Sequence, residues 1–165
     1  MSKSKKNKEN FIGRKFEAIH KSRELAVQFL SSLDIYPEQD FKQSLELFLN
    51  IDELAPSLTP EIKDRCQNLV SQVWERKNEI DGVLVRVVTG WRPDRMVSVD
   101  RTILRLMVLE GFMLRSLPVG AAVTEATRLA NDFGTKESAR FVGGVMYKAA
   151  KFFEKDDEDE KEEDE

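Results

Sequence analysis

Apolar residues recur at intervals of three and four along most of the chain, and no stretch sustains an apolar–polar alternation of period two. Such spacing stacks apolar side chains on one face of a helix and predicts an all-α protein. A first helix is expected from about His20 to Leu33, burying Ala26, Phe29, Leu30 and Leu33 and leaving Lys21, Glu24 and Gln28 in water. A second, near Asp40 to Ile51, sets Phe41, Leu45, Phe48 and Leu49 on one face, and Pro56 interrupts the chain after it. Thr59-Pro60-Glu61 reads as a helix start. Threonine caps free amides, proline fits the first helical position and glutamate suits the dipole. This third helix runs to about Arg76, carrying Ile62, Leu69, Val70, Val73 and Trp74.

A shorter helix from about Glu79 to Val88 stops near Gly90 and Pro93. The next, capped by Ser98, is apolar round nearly its whole circumference, from Val99, Ile103 and Leu104 through Leu106, Met107, Val108 and Leu109 to Phe112 and Met113. A helix of that kind belongs at the centre of a bundle. Pro118 separates it from a helix over Val119 to Asp132, for which Gly134 is placed as a left-handed stop. Thr135 with Ser138 opens the last helix, whose inward stripe is Phe141, Val142, Val145, Met146 and Ala149. The pattern gives a single-domain bundle of about seven helices.

The net charge of -4 conceals a polarity between the ends. Residues 1–23 hold eight Lys or Arg against only Glu9 and Glu17, whereas 154–165 hold ten acids against Lys155 and Lys161. Like-charged blocks repel themselves, so the expected organisation is a flexible basic arm (1–18), a helical domain (19–153) and a disordered acidic tail (154–165). A basic arm gains from counterion release on a polyanion, and an acidic tail repels that ligand or masks the arm. With one cysteine, Cys66, neither an intramolecular disulfide nor a thiolate zinc site is expected. No secretory apolar stretch follows the first methionine and no run is long enough to span a membrane, so a soluble, cytoplasmic protein is expected.

The candidate chemistry is sparse, and neither an enzyme nor a cofactor or metal site is expected. His20 is the sole histidine and has no Ser or Cys partner that can be placed beside it; it reads as a helix-end or phosphate-facing group. Gly143-Gly144 lies inside a helical pattern rather than after a strand, which excludes a phosphate-cradling loop and suggests close helix approach. Glu110 and Glu125 sit in strongly apolar helical surroundings. Buried charges need partners, so these acids are expected to pair with Arg105, Arg101 or Arg128.

Two stretches, Trp91 to Met113 and Val123 to Met146, resemble the C-terminal half of the NusB family. Val99, Asp100, Arg101, Ile103, Leu104, Arg105, Leu106 and Glu110 fill its V-D-R-x-I-L-R-L-x-x-x-E block. Glu125, Ala126, Leu129, Ala130, Phe133 and Gly134 fill the E-A-x-x-L-A-x-x-F-G block, and Ser138, Phe141, Val142, Gly144 and Val145 the S-x-x-F-V-N-G-V block, with Gly143 where the family usually has asparagine. Arg23, Ala26, Gln28 and Leu30 match the family's helix 1 more thinly, with Ser31 at its tyrosine. The resemblance implies an all-helical NusB-like fold and a transcription antitermination factor supporting ribosomal RNA synthesis. It implies binding to single-stranded boxA leader RNA with the ribosomal protein NusE, on the RNA polymerase elongation complex, by a monomer or a homodimer. Carried over by position, its RNA face comprises Lys21, Arg23, Asp100, Arg101, Glu137, Arg140 and Phe141, to which Lys15 and His20 beside the arm are added. Cations hold phosphates and Phe141 stacks on unpaired bases in this reading, although Phe141 also begins the apolar stripe of the last helix. The same fold forms the N-terminal RNA-binding domain of ribosomal RNA cytosine methyltransferases, but the short stretch after the last match is not expected to hold a catalytic domain. The alternative is a NusB-like paralogue acting as a protein-interaction module without specific RNA binding.

Overall fold

Seven α-helices and no strand occur among the described residues of the computed structural model, which are 3–51, 53, 56 and 58–163. The outermost residues of the expected arm and tail, Met1, Ser2, Asp164 and Glu165, lie outside them, as do the side chains of Lys3, Ser4, Glu162 and Glu163. The helices are α1 (Lys3–Leu33), α2 (Phe41–Leu49), α3 (Pro60–Glu75), α4 (Lys77–Val87), α5 (Ser98–Val108), α6 (Val119–Phe133) and α7 (Lys136–Glu163). They gather into two compact units, 1–71 and 72–165, divided within α3.

In the first unit, Phe29 of α1 anchors α2. Its ring meets Phe41 edge-on at 5.6 Å and Phe48 at 5.4 Å between centroids. Such aromatic pairs add about 0.5–1.5 kcal/mol beyond the area they bury. Around them Leu25, Leu30, Leu45, Leu49, Ile62, Cys66 and Val70 are all buried. Asp40 caps α2 by accepting from the Gln43 amide at 2.8 Å, and Thr59 caps α3 by accepting from the Ile62 amide at 3.3 Å.

The second unit is built round α5, which packs against α4, α6 and α7, while α6 and α7 pair extensively. Ile103, Leu104, Leu106, Met107, Val108 and Leu109 are fully buried, as expected of a helix apolar on all sides. α5 then widens into a π turn, Leu109–Met113, in which the Leu114 amide donates to the Leu109 carbonyl at 2.8 Å. At this turn α6 comes so close that a Cβ on Gly111 would stand 2.7 Å from the Ala122 Cβ. The Glu110 carbonyl is satisfied by the Ser116 amide at 3.0 Å and hydroxyl at 3.1 Å as the chain leaves the helix through Arg115 at φ 50.

Four local expectations are corrected. α1 starts at Lys3 rather than near His20, and α7 continues to Glu163, so both charged ends carry helical backbone. No proline interrupts either end, and Arg86 and Arg115 hold Asp156 and Asp157 of α7. Gly134 is extended (φ -110, ψ -157) instead of left-handed; a Cβ there would meet the Ser138 hydroxyl at 2.7 Å, so glycine supplies room for that side chain. Ser98 is the first residue inside α5, and Val97 holds the capping position with no side-chain bond. Only one of the two α7 glycines permits close approach, since a Cβ on Gly143 would lie 3.2 Å from the Thr127 hydroxyl while Gly144 faces open space.

Candidate nucleic-acid interface

The expected cations of the first unit lie on α1, and the helix sorts them by exposure. Lys15 is exposed and Lys21 partly so, with its ammonium 3.2 Å from a Glu24 carboxylate oxygen. The other Glu24 oxygen lies 3.2 Å from Nε2 of His20. His20 and Arg23 are only 4% and 6% exposed. Neither stands on the surface as the reading from sequence had it: α1 is enclosed round most of its circumference here, with Ser22, Leu25, Ala26 and Val27 buried beside them. Lys21 also lines a groove of about 730 Å³ with Arg14, Glu17, Thr59 and Ile62.

In the second unit the expected residues separate into scaffold and surface. Asp100, in the first turn of α5, is 8% exposed, and its Oδ1 has no hydrogen-bond partner among the described residues. Arg101 points back from the same turn, its Nη1 donating to the Pro93 carbonyl and, at 3.3 Å, to that of Met96. It thereby fastens the 3-10 turn Pro93–Arg95 to the start of α5. Glu137, Arg140 and Phe141 stand instead on the open side of α7, with Phe141 41% exposed. The inward stripe therefore begins at Val142. Thr135 sets this turn by accepting from the Ser138 amide at 3.2 Å.

The open side of α7 continues beyond what the sequence reading selected. Tyr147 is 60% exposed and Lys148 and Lys151 are exposed, the Lys151 ammonium lying 5.7 Å over the Tyr147 ring. Arg140 and Phe141, then Gly144, then Tyr147 and Lys148, then Lys151 recur on one side of the helix at offsets of three and four from one group to the next, the signal that could have revealed them. Gly144 leaves the backbone bare between the two rings.

Arg105 pairs with Asp81 of α4, an acid the sequence reading did not select. Arg105 donates Nε and Nη2 to the two oxygens of Asp81 at 2.8 and 2.7 Å. Glu110 is buried at 1% exposure in the π turn, and Glu125 is half-buried on α6. Burial pushes the Cys66 thiol up to about 12, which keeps it protonated at neutral pH.

The family model of NusB matches residues 20–151, and with them the whole of α2 to α6. The chain belongs to the NusB family. The transcription antitermination protein NusB of Symbiobacterium thermophilum is 36% identical over 129 residues, 76% of this chain and 84% of that protein. The structure of T. maritima NusB aligns with a TM-score of 0.70 at 26% identity, covering 81% of this chain and 90% of that one. A crystal structure of the antitermination factors NusB and NusE in complex with double-stranded RNA shares the fold, with a TM-score of 0.69 at 23% identity over 83% of this chain and 98% of that one. The NusB match starts at His20, so residues 3–19 of α1 precede it. No helix among the described residues is long and apolar enough to cross a membrane.

Proposed function

We propose that this NusB-family chain is a cytoplasmic transcription antitermination factor that works by binding and not by turnover. Its ligand in this reading is boxA-type single-stranded leader RNA, held together with NusE on elongating RNA polymerase during ribosomal RNA synthesis. The observation that carries the proposal is the exposed Arg140-Phe141 pair at the capped start of α7, continued by Tyr147 and Lys148. A guanidinium beside an uncovered ring can hold a phosphate while an unpaired base stacks next to it. The names of the relatives, and the NusB–NusE complex that shares the fold, support the same reading.

Lys15 and Lys21 supply phosphate contacts on α1, and Glu137 accepts from base amino groups beside Phe141. His20, Arg23, Asp100 and Arg101 act by positioning, being buried or bonded to backbone. Residues 1–18 serve as the basic arm, 19–153 as the body and 154–165 as an acidic tail.

Fluorescence anisotropy of a labelled boxA-type RNA and a scrambled control, with and without NusE, tests this. The boxA RNA should bind more tightly, more so with NusE, and Phe141→Ala should cost about 1–3 kcal/mol of that binding. Equal binding of both RNAs, or none with NusE present, would refute it.

A further inference from the structure

Residues 5–19 of α1 lie ahead of the family match, and their side chains divide the helix into two unlike halves. At about 100° per residue, one half carries Glu9, Asn10, Gly13, Arg14 and Glu17, which line the groove with Thr59 and Ile62. Both acids of the segment are there. The opposite half carries Phe11, Ile12 and Phe16 with Lys5, Lys8 and Lys15 among them, and no acid. Phe11 is 69% and Phe16 67% exposed. A solvated charged helix accounts for the lysines and leaves the two bare rings unexplained.

We infer that this half of α1 is a stacking platform for single-stranded RNA, with Phe11 and Phe16 each taking an unpaired base and Lys8 and Lys15 holding the phosphates between them. The inference rests on the RNA-binding reading above and extends it upstream along the same helix, past Lys21. Three features select the ligand. Lysines scattered among the rings repel a second copy of the same face, so self-association is disfavoured. The face matches a polyanion that presents flat apolar surfaces at intervals, which is what a single strand offers and a duplex hides. Five residues apart, the two rings stand about 7.5 Å apart along the axis and about 140° apart around it, on the two flanks of Lys8 and Lys15, so they engage different bases.

The test uses the full chain, with circular dichroism confirming unchanged helicity in each variant. Anisotropy is followed against salt with a labelled boxA-type single strand and with a duplex of equal length. F11A/F16A should weaken single-strand binding roughly tenfold or more with the salt slope unchanged, and should spare the duplex. F11L/F16L, which keeps apolar bulk without a π face, should bind as poorly as the alanine variant, while K8Q/K15Q should lower the salt slope. Full single-strand affinity in F11A/F16A or F11L/F16L, beside a wild type that binds, would overturn the platform and leave the wider RNA reading standing. A wild type that fails to bind either RNA would overturn both. Sedimentation with phosphatidylserine vesicles provides the competing arm: loss of vesicle binding in F11A/F16A with RNA affinity intact would assign the face to a membrane surface instead.

Discussion

Arg105 of α5 grips both carboxylate oxygens of Asp81 on α4, at 2.8 and 2.7 Å, with the two side chains only 13% and 21% exposed. A planar guanidinium and a carboxylate fit as two parallel hydrogen bonds, which fixes the helix register as well as pairing charge. Removing one partner leaves a half-buried charge uncompensated. Asp81→Ala should therefore destabilise the chain by about 2–3 kcal/mol in urea denaturation, and Asp81→Leu combined with Arg105→Leu by less than the sum of the single changes. Strict additivity would show that the pair does not couple α4 to α5.

The contact between the π turn and α6 leaves no room for a methyl group. Gly111→Ala would place a Cβ 2.7 Å from that of Ala122, so helix propensity worth about 1 kcal/mol is set against overpacking worth about 1–3 kcal/mol. Overpacking should win, with a lowered thermal midpoint. Gly143→Ala, whose Cβ would meet a rotatable Thr127 hydroxyl at 3.2 Å, should be tolerated far better. Equal midpoints for the two variants would contradict this assignment of the close contact.

Burial raises the Cys66 thiol from 9.0 to about 12. The unfolded chain ionises first as pH rises, so the folded state binds the extra proton between those values. Stability from this group is complete below pH 9 and is lost progressively up to about 12. Cys66→Ala should flatten the decline over that window in denaturant titrations. Dithionitrobenzoate should label Cys66 only as fast as the first unit opens; immediate labelling at neutral pH would show that the thiol is accessible.

Arg115 donates to both oxygens of Asp157, at 2.8 and 3.1 Å, and holds that carboxyl below its ordinary 3.8 while its own value rises. A depressed carboxyl stabilises above its unfolded value and gives that up as pH falls through the lower folded one. Both groups are exposed, so the effect is local: Asp157→Asn should speed hydrogen exchange in the last turns of α7 at neutral pH and leave the thermal midpoint unchanged. Exchange identical to wild type would mean that Arg115 does not tether this end.

Periodicity was enough for what depends on neighbours in sequence. The helices from α2 to α6 fall close to their expected spans, and the Thr59 and Thr135 caps form, because caps and apolar stripes are set within one or two turns. The same logic missed the helical backbone at both ends; at the end of α7, repulsion among the terminal acids is read without the ion pairs that Arg86 and Arg115 bring from elsewhere in the second unit. Of the candidate site, Lys15, Glu137, Arg140 and Phe141 are exposed and Lys21 partly so, whereas His20, Arg23 and Asp100 are buried. The α7 strip with Tyr147 was written at helical spacing all along and was masked by the apolar stripe it runs beside.

By itself, the sequence determined an all-helical protein of the NusB family, because apolar period and ordered motifs are properties of the chain read in line. Tertiary structure alone decided that Arg105 pairs with Asp81, that Gly134 makes room for Ser138, and that Phe11, Phe16 and Phe141 stay uncovered. Each of these depends on which surfaces meet in space, and a periodic pattern names the faces of a helix without naming what, if anything, lies against them.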